Sequence, residues 1–543
     1  MRIRLAALLA LLAFVPSAVP GQTAPADPAA AFGARESIQT IRISPDGQRI
    51  AYVAPRRGQG SALYVVDLAS GQSNPAASAD GVSQRLGGCD WVSNQRLVCV
   101  VYAMRQLDGE IVRATRLIAL DADGQNLRQL GERDSAYQRY ARLWGGTVVD
   151  FLPGEDGAVL MGQQFVPEQR QNTRLERRDE GYGVVRVDTR NLAQRRVETA
   201  NPYAVEYISD GHGRVRIMGV QPPRGATGQT GNEITFMFRT ADSSAWRPLG
   251  VYNELTRQGP RPAAVDRALN AAYVFEKLDG RIALYRVTLD GSGHRDLVAS
   301  NPQVDIDDLL RIGRSGRVIG ATFVTDRRQA IIFDPEMRRL TEQLARAIPN
   351  LPLIRIADAS EDESKLLIWA GSDTDPGRYY VYDKATRRLA EIMLARPELE
   401  GVTLAPVRAV TYRAADGTQI PAYLTLPPGS SRRSSCRTAA PGRATNGAST
   451  GSPNISPTAA MRCSSRTSAA RQAMATHGSR RTASSPGGPR SATSTTPAAG
   501  WSPKGSPIPP SSPSSAGPME AMPRSSRTCW IRTSSTPSSR SRR

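Results

Sequence analysis

Ile43-Ser44-Pro45-Asp46-Gly47-Gln48-Arg49-Ile50-Ala51-Tyr52-Val53, followed after a spacer by Leu63-Tyr64-Val65-Val66-Asp67-Leu68-Ala69-Ser70-Gly71, is the stretch on which the fold turns. Each half is a short β-rich run ending in polar turn residues. Pro45-Asp46-Gly47 sets a tight turn, and Asp67 to Gly71 closes the second run. The pattern recurs with drift at Trp91 to Val101 with Leu117 to Gly124, at Val148 to Met161 with Val184 to Leu192, and at Val205 to Ile217 with Ile234 to Asp242. It continues at Ala264 to Phe275 with Leu284 to Gly291, at Leu309 to Phe323 with Ala330 to Pro335, and at Ile354 to Trp369 with Tyr379 to Ala385. Seven units of roughly 40 to 50 residues have the period of four-stranded propeller blades. Stacked sandwiches are the alternative, but they require turn signals without a longer repeat. Long helical patterns are nearly absent, and radial packing of blades buries a large core without them. The expectation is an all-β fold with a seven-bladed β-propeller over residues 36–400.

Outside this region the chain changes character. Arg2 and Arg4 precede an apolar run from Leu5 to Val15, then Pro16, Ser17, Ala18 and small residues through Ala24. A basic start, a short apolar middle and a small-residue cleavage zone read as a signal peptide over residues 1–24. The run is far short of the roughly 20 residues of a membrane-spanning helix, and Pro16 and Pro20 interrupt it. An uncleaved anchor is the other reading. Export predicts a periplasmic or secreted protein with no stable membrane insertion after cleavage.

The net charge of +20 would suggest a nucleic-acid or anionic-membrane partner if it were spread over a folded face. From Ser431 onward, however, there are sixteen Arg and one Lys against one acid, Glu520, which supplies +16 of it. The first 430 residues are therefore nearly neutral, and no nucleic-acid partner is expected. Of the five cysteines, only Cys89 and Cys99 lie in sequence able to fold. They flank a hairpin whose turn is Ser93-Asn94-Gln95, so an export-compartment disulfide between them is expected, with two separately buried thiols as the alternative. No His lies near either, and no metal or cofactor is implied.

After the last repeat comes Val407-Arg408-Ala409-Val410-Thr411-Tyr412-Arg413-Ala414-Ala415-Asp416-Gly417-Thr418-Gln419-Ile420-Pro421-Ala422-Tyr423-Leu424-Thr425-Leu426-Pro427-Pro428-Gly429. Ile420, Ala422, Leu424 and Leu426 alternate along one strand after an Asp-Gly turn, and Pro427-Pro428-Gly429 closes it. Repeats followed by this segment resemble the prolyl oligopeptidase family of serine peptidases, including dipeptidyl- and acylaminoacyl-peptidase relatives. The resemblance implies that residues 401–430 are the crossover into an α/β-hydrolase domain. It also implies peptide substrates for an intact relative, attacked by a Ser whose proton passes to a His oriented by an Asp.

The family's next motifs, His-Gly-Gly-Pro and the elbow Gly-x-Ser-x-Gly-Gly, are absent. Residues 431–543 hold Ser, Arg, Pro, Ala and Thr without apolar periodicity, which by composition reads as a disordered tail. GC-rich back-translation read one nucleotide upstream gives a sharper account. Cys436 to Gly442 then spells PHGGP, Ala444 to Gly451 DEWGFDW, Arg466 to Thr476 FRGSTGYG, and Ser514 to Met522 VGWSYGGY. Met and Trp have single codons and cannot be tuned, and Met519-Glu520-Ala521-Met522 forces a Gly in the shifted reading. The tail is thus expected to be out of frame from near Ser430 to Arg432, leaving a truncated, catalytically inactive chain with no catalytic residues.

Other candidates read as structural. His212 and His294 sit in glycine-flanked turns, and His477 lies in the tail. Asp305, Asp307 and Asp308, and Glu361, Asp362 and Glu363, lack calcium-loop spacing and read as solvated turns. Trp91, Trp144, Trp246 and Trp369 are spread so thinly that packing between blades is the natural role. The alternative function is a non-enzymatic periplasmic propeller that binds a protein partner.

Overall fold

The computed structural model describes residues 27–107, 109–169, 177–225 and 229–426, together with a three-residue strand at Cys436–Thr438. Seven sheets succeed one another from Thr40 to Leu394, each a meander of antiparallel neighbours in chain order. This is a seven-bladed β-propeller. All seven units read from the sequence are blades, and six of them have four strands.

The turn chemistry acts as the Pro-Asp-Gly signal predicts. In blade 1 the Ser44 hydroxyl donates to Asp46 at 2.5 Å and accepts the amides of Gln48 and Arg49 at 3.1 and 2.9 Å. Gly47 then takes φ +67, a left-handed conformation that glycine adopts without steric cost. Blade 7 repeats the device with Ser360 and Asp362, where Glu363 accepts the left-handed position at φ +55.

The apolar residues of each sheet are buried against the next sheet. Val98, Leu117 and Ala119 of blade 2 share a core with Val159, Met161 and Val185 of blade 3. Ile217 and Phe236 of blade 4 meet Ala272 and Val274 of blade 5 in the same way. Closure of the ring uses the same packing. Ile38, Ile41, Ile43 and Ile50 of the first blade pack on Leu367, Tyr379 and Val381 of the last, and among the described residues no strand is exchanged between them.

Blade 6 departs from the pattern. It has three strands, Ile306–Ile312, Arg317–Val324 and Arg328–Ile332, and a helix at Pro335–Ala347 follows where a fourth strand is expected. Asp334 caps the helix by accepting the amides of Glu336 and Met337, and Pro335 occupies its first turn. Met337, Leu340 and Leu344 face inward at helical spacing and join the core between blades 6 and 7.

Beyond blade 7, Val407–Arg413 and Gln419–Thr425 form an antiparallel hairpin around Asp416-Gly417, with Gly417 at φ +85. Cys436–Thr438 adds a short third strand to it. That strand lies in the segment whose composition reads as unstructured; backbone pairing along a strand edge does not need the apolar side chains that segment lacks. The expected signal peptide, His477 and the remainder of the tail lie outside the described residues.

Candidate functional site

The first strand of every blade lines the propeller axis, and together they enclose a channel of about 1060 Å³. That is at the upper end of the roughly 300–1,000 Å³ found for small-ligand sites. One face of the disc carries the turns from first to second strands and is here named the turn face. The opposite, linker face carries the passages from blade to blade, and the chain leaves it toward Val407.

The wall mixes apolar with polar side chains and is nearly balanced in charge. On one side Arg42 of blade 1 meets Asp90 of blade 2 at 2.6 Å. Asp358 of blade 7 stands beside them and accepts the amides of Ile43 at 3.1 Å and Ala359 at 2.9 Å. Enclosure in the wall pushes the Asp358 carboxyl up to about 6, against the opposing pull of Arg42. For Arg42 itself, desolvation works against the charge, yet Asp90 and Asp358 outweigh it and the net change is upward.

On the other side Arg261 of blade 5 pairs with Glu206 of blade 4. The Arg311 guanidinium donates to the Ala263 carbonyl at 2.7 Å, and its pKa is lowered chiefly by desolvation. Toward the linker face, Gln221 donates to Glu254 at 2.6 Å and the Tyr182 hydroxyl lies 3.0 Å from that of Thr147. Burial, with Glu198 and Tyr182 adding to it, pushes the Tyr207 phenol up to about 12. Trp144 is 67% exposed at this mouth. Packing between blades, expected of all four tryptophans, therefore fails for Trp144: the segment Gly145–Gly146 turns the chain into the first strand of blade 3 and leaves the indole on the rim. Trp91 by contrast is buried, its indole N–H donating to the Arg42 carbonyl at 3.3 Å.

Apart from Glu361, which holds Arg314 at one end of the channel, the remaining sequence candidates lie away from its wall. Cys89 and Cys99 face each other across the first two strands of blade 2 and are joined as a disulfide. His294 is exposed with its ring 3.1 Å from Asp296, and His212 lies in the turn held by Asp210. Asp307 binds Arg328, Glu361 binds Arg314 and Glu363 binds Arg317, so these acids anchor arginines within and between blades. Among the described residues, no group of three or more His, Cys, Asp or Glu is placed to hold a metal. Ser449 stands in a shorter elbow-like string, Gly447-Ala448-Ser449-Thr450-Gly451, which lacks the second glycine and lies outside the described residues.

What the channel offers is a wall of mixed polar and apolar side chains, without a nucleophile–base pair among the described residues that line it. No family model matches the chain. A dipeptidyl aminopeptidase BIII of Pseudoxanthomonas mexicana is 28% identical over 145 residues, which are 27% of this chain and 21% of that protein. Among solved structures, a puromycin-hydrolyzing peptidase of Mycobacterium tuberculosis matches 75% of this chain and 61% of its own, at TM-score 0.45 and 16% identity. Prolyl oligopeptidase B of Galerina marginata matches at TM-score 0.45 and 12% identity, over 74% of this chain and 57% of its own. The chain thus spans about a fifth of the curated relative and little more than half of these solved chains.

Proposed function

We propose that this chain, similar to prolyl oligopeptidase-family peptidases, is the propeller part of an exported serine peptidase whose catalytic part is encoded but not read. The intact relative would cleave short peptides, as the name of the similar dipeptidyl aminopeptidase suggests. Its propeller would limit access to the nucleophile. The observation that carries this reading is the tail: four family-like motifs, PHGGP among them, emerge in family order when residues 436–522 are read one nucleotide upstream. The near-neutral charge of the first 430 residues supports it as well, because the basic excess then arises from GC-rich codons read as Arg. The Cys89–Cys99 disulfide and the basic-apolar N-terminus support export to the periplasm or beyond.

On this account the protein has no peptidase activity of its own. The test is to treat the purified chain with a fluorophosphonate probe and with peptide-nitroanilide substrates. Neither labelling nor turnover is expected. Labelling that maps to Ser449 or to any other serine, together with turnover, would overturn the reading.

A further inference from the structure

We propose that the turn Gly313-Arg314-Ser315-Gly316 of blade 6 is a stopper that closes the channel at the turn face, so that solutes enter the propeller from the linker face alone. The inference concerns the channel itself and holds whether or not the peptidase reading is right.

The Arg314 side chain is only 10% exposed. One of its Nη groups donates to the Glu361 carboxylate of blade 7 at 2.6 Å. The other donates to the carbonyls of Val92 in blade 2 at 2.9 Å and Phe151 in blade 3 at 2.7 Å, with Leu152 at 3.4 Å. In a ring of seven, blade 6 lies across the axis from blades 2 and 3, so the side chain spans the mouth. All four acceptors lie just beyond the ends of innermost strands, which places the crossing at the turn face. Carbonyl groups freed at strand ends accept from the two Nη groups of a planar cationic fork there, while the buried Nε finds no partner.

A second observation points the same way. Gly211, in the corresponding turn of blade 4, has φ +74, and a Cβ there would stand 2.3 Å from the Ser315 carbonyl oxygen. Blades 4 and 6 are not neighbours, so their turns meet only because the blade 6 turn bends toward the axis. Four other blades therefore converge on this turn of blade 6. At the linker face the polar pairs named above lie within a blade or between neighbours, and Trp144 and Val205 remain exposed on the rim.

The test places two thiols in the full chain. Val205→Cys lies on the linker-face rim, and Ala357→Cys lines the channel. A bulky biotin-polyethylene-glycol maleimide is reacted first with the exposed rim thiol, and streptavidin is bound to cover that mouth. Labelling of Ala357→Cys by iodoacetamide is then followed by tryptic mass mapping, which separates it from the tail cysteines. With Arg314 in place, covering the rim is expected to slow labelling at least about tenfold, since thiol reactivity follows access. Adding Arg314→Ala should return the covered rate to within about twofold of the uncovered one. Labelling unaffected by the cover while Arg314 is present would show an open turn face and overturn the proposal. A covered rate that stays slow after Arg314→Ala would overturn the role of Arg314. The first arm needs no change at Arg314, and Arg314→Lys, which keeps the charge but loses the fork, repeats the second arm if the alanine variant fails to fold.

Discussion

Replacing Arg96 with Ala should be among the most damaging single changes to the propeller. The side chain is fully buried between blades 2 and 3. Its Nε donates to the Thr189 hydroxyl at 3.1 Å, Nη1 to Asp121 at 2.7 Å, and Nη2 to the carbonyls of Asn126 at 3.1 Å and Thr189 at 2.5 Å. Truncation leaves two carbonyls and a hydroxyl without their donor and opens a cavity. Removing one partner of a buried ion pair costs about 3–5 kcal/mol. Asp121 keeps the Asn126 amide at 2.6 Å and some solvent, so the lower half of that range is expected. Unfolding entropy of about 2.1 cal/mol/K per residue over roughly 370 cooperative residues converts this to a fall in Tm of about 4–5 °C. Arg317→Ala is the internal control. Arg317 also links blades, through Glu363 and Asp334, but its side chain is 37% exposed, so about 1 kcal/mol and a shift near 1–2 °C are expected. Calorimetry of the two variants side by side checks the argument. An Arg96→Ala melt no lower than that of Arg317→Ala would refute the claim that burial decides the worth of these inter-blade arginines.

Asp358 should make the seam between blades 1 and 7 sensitive to pH. Its folded pKa, about 6, lies above the ordinary carboxylate value, so the folded state prefers the protonated form. The stabilisation is complete below about pH 4 and is lost as pH rises through 6; with Arg42, Asp90 and Tyr379 as its neighbours and channel water screening it, about 1–3 kcal/mol is expected. Chemical denaturation at pH 4.5 and 7.5 should therefore show a smaller pH difference in Asp358→Asn than in the parent, and equal differences would contradict the assignment. Reducing Cys89–Cys99, which closes a separation of 10 residues, should cost about 2–3 kcal/mol and lower the urea midpoint without changing the far-ultraviolet spectrum. Leu344→Ala should cost about 2–5 kcal/mol by opening a cavity between blades 6 and 7; a loss under 1 kcal/mol, read by urea denaturation, would mean that the helix is peripheral to that core.

The blades were legible because each carries its own local signals. Ser44-Pro45-Asp46-Gly47 needs only its own hydroxyl, carboxylate and left-handed glycine to turn the chain, and burial alternates with period two in the strand Thr40–Ile43 before it. The helix Pro335–Ala347 is equally local, with Asp334 and Pro335 at its start and Met337, Leu340 and Leu344 on one face, but the blade repeat favours a fourth strand at that place. The channel could not be read in this way. It takes a few residues from each of seven sheets, and the partners of Arg314 lie 47 to 222 positions away, at distances no local pattern encodes. Trp144 departs from the inter-blade packing expected of it for a related reason. Whether an indole faces a neighbouring blade or the rim depends on the path of the linker into blade 3, which hydrophobicity does not specify.

An unread catalytic half is tested most directly by the nucleotide sequence across codons 425 to 440, with its continuation. One missing or extra base near codons 430 to 432 is predicted, followed in the shifted frame by an uninterrupted reading through PHGGP and VGWSYGGY to an Asp and a His beyond the present end. Stop codons among those four motifs in the shifted frame, or codons that do not spell them, would contradict it.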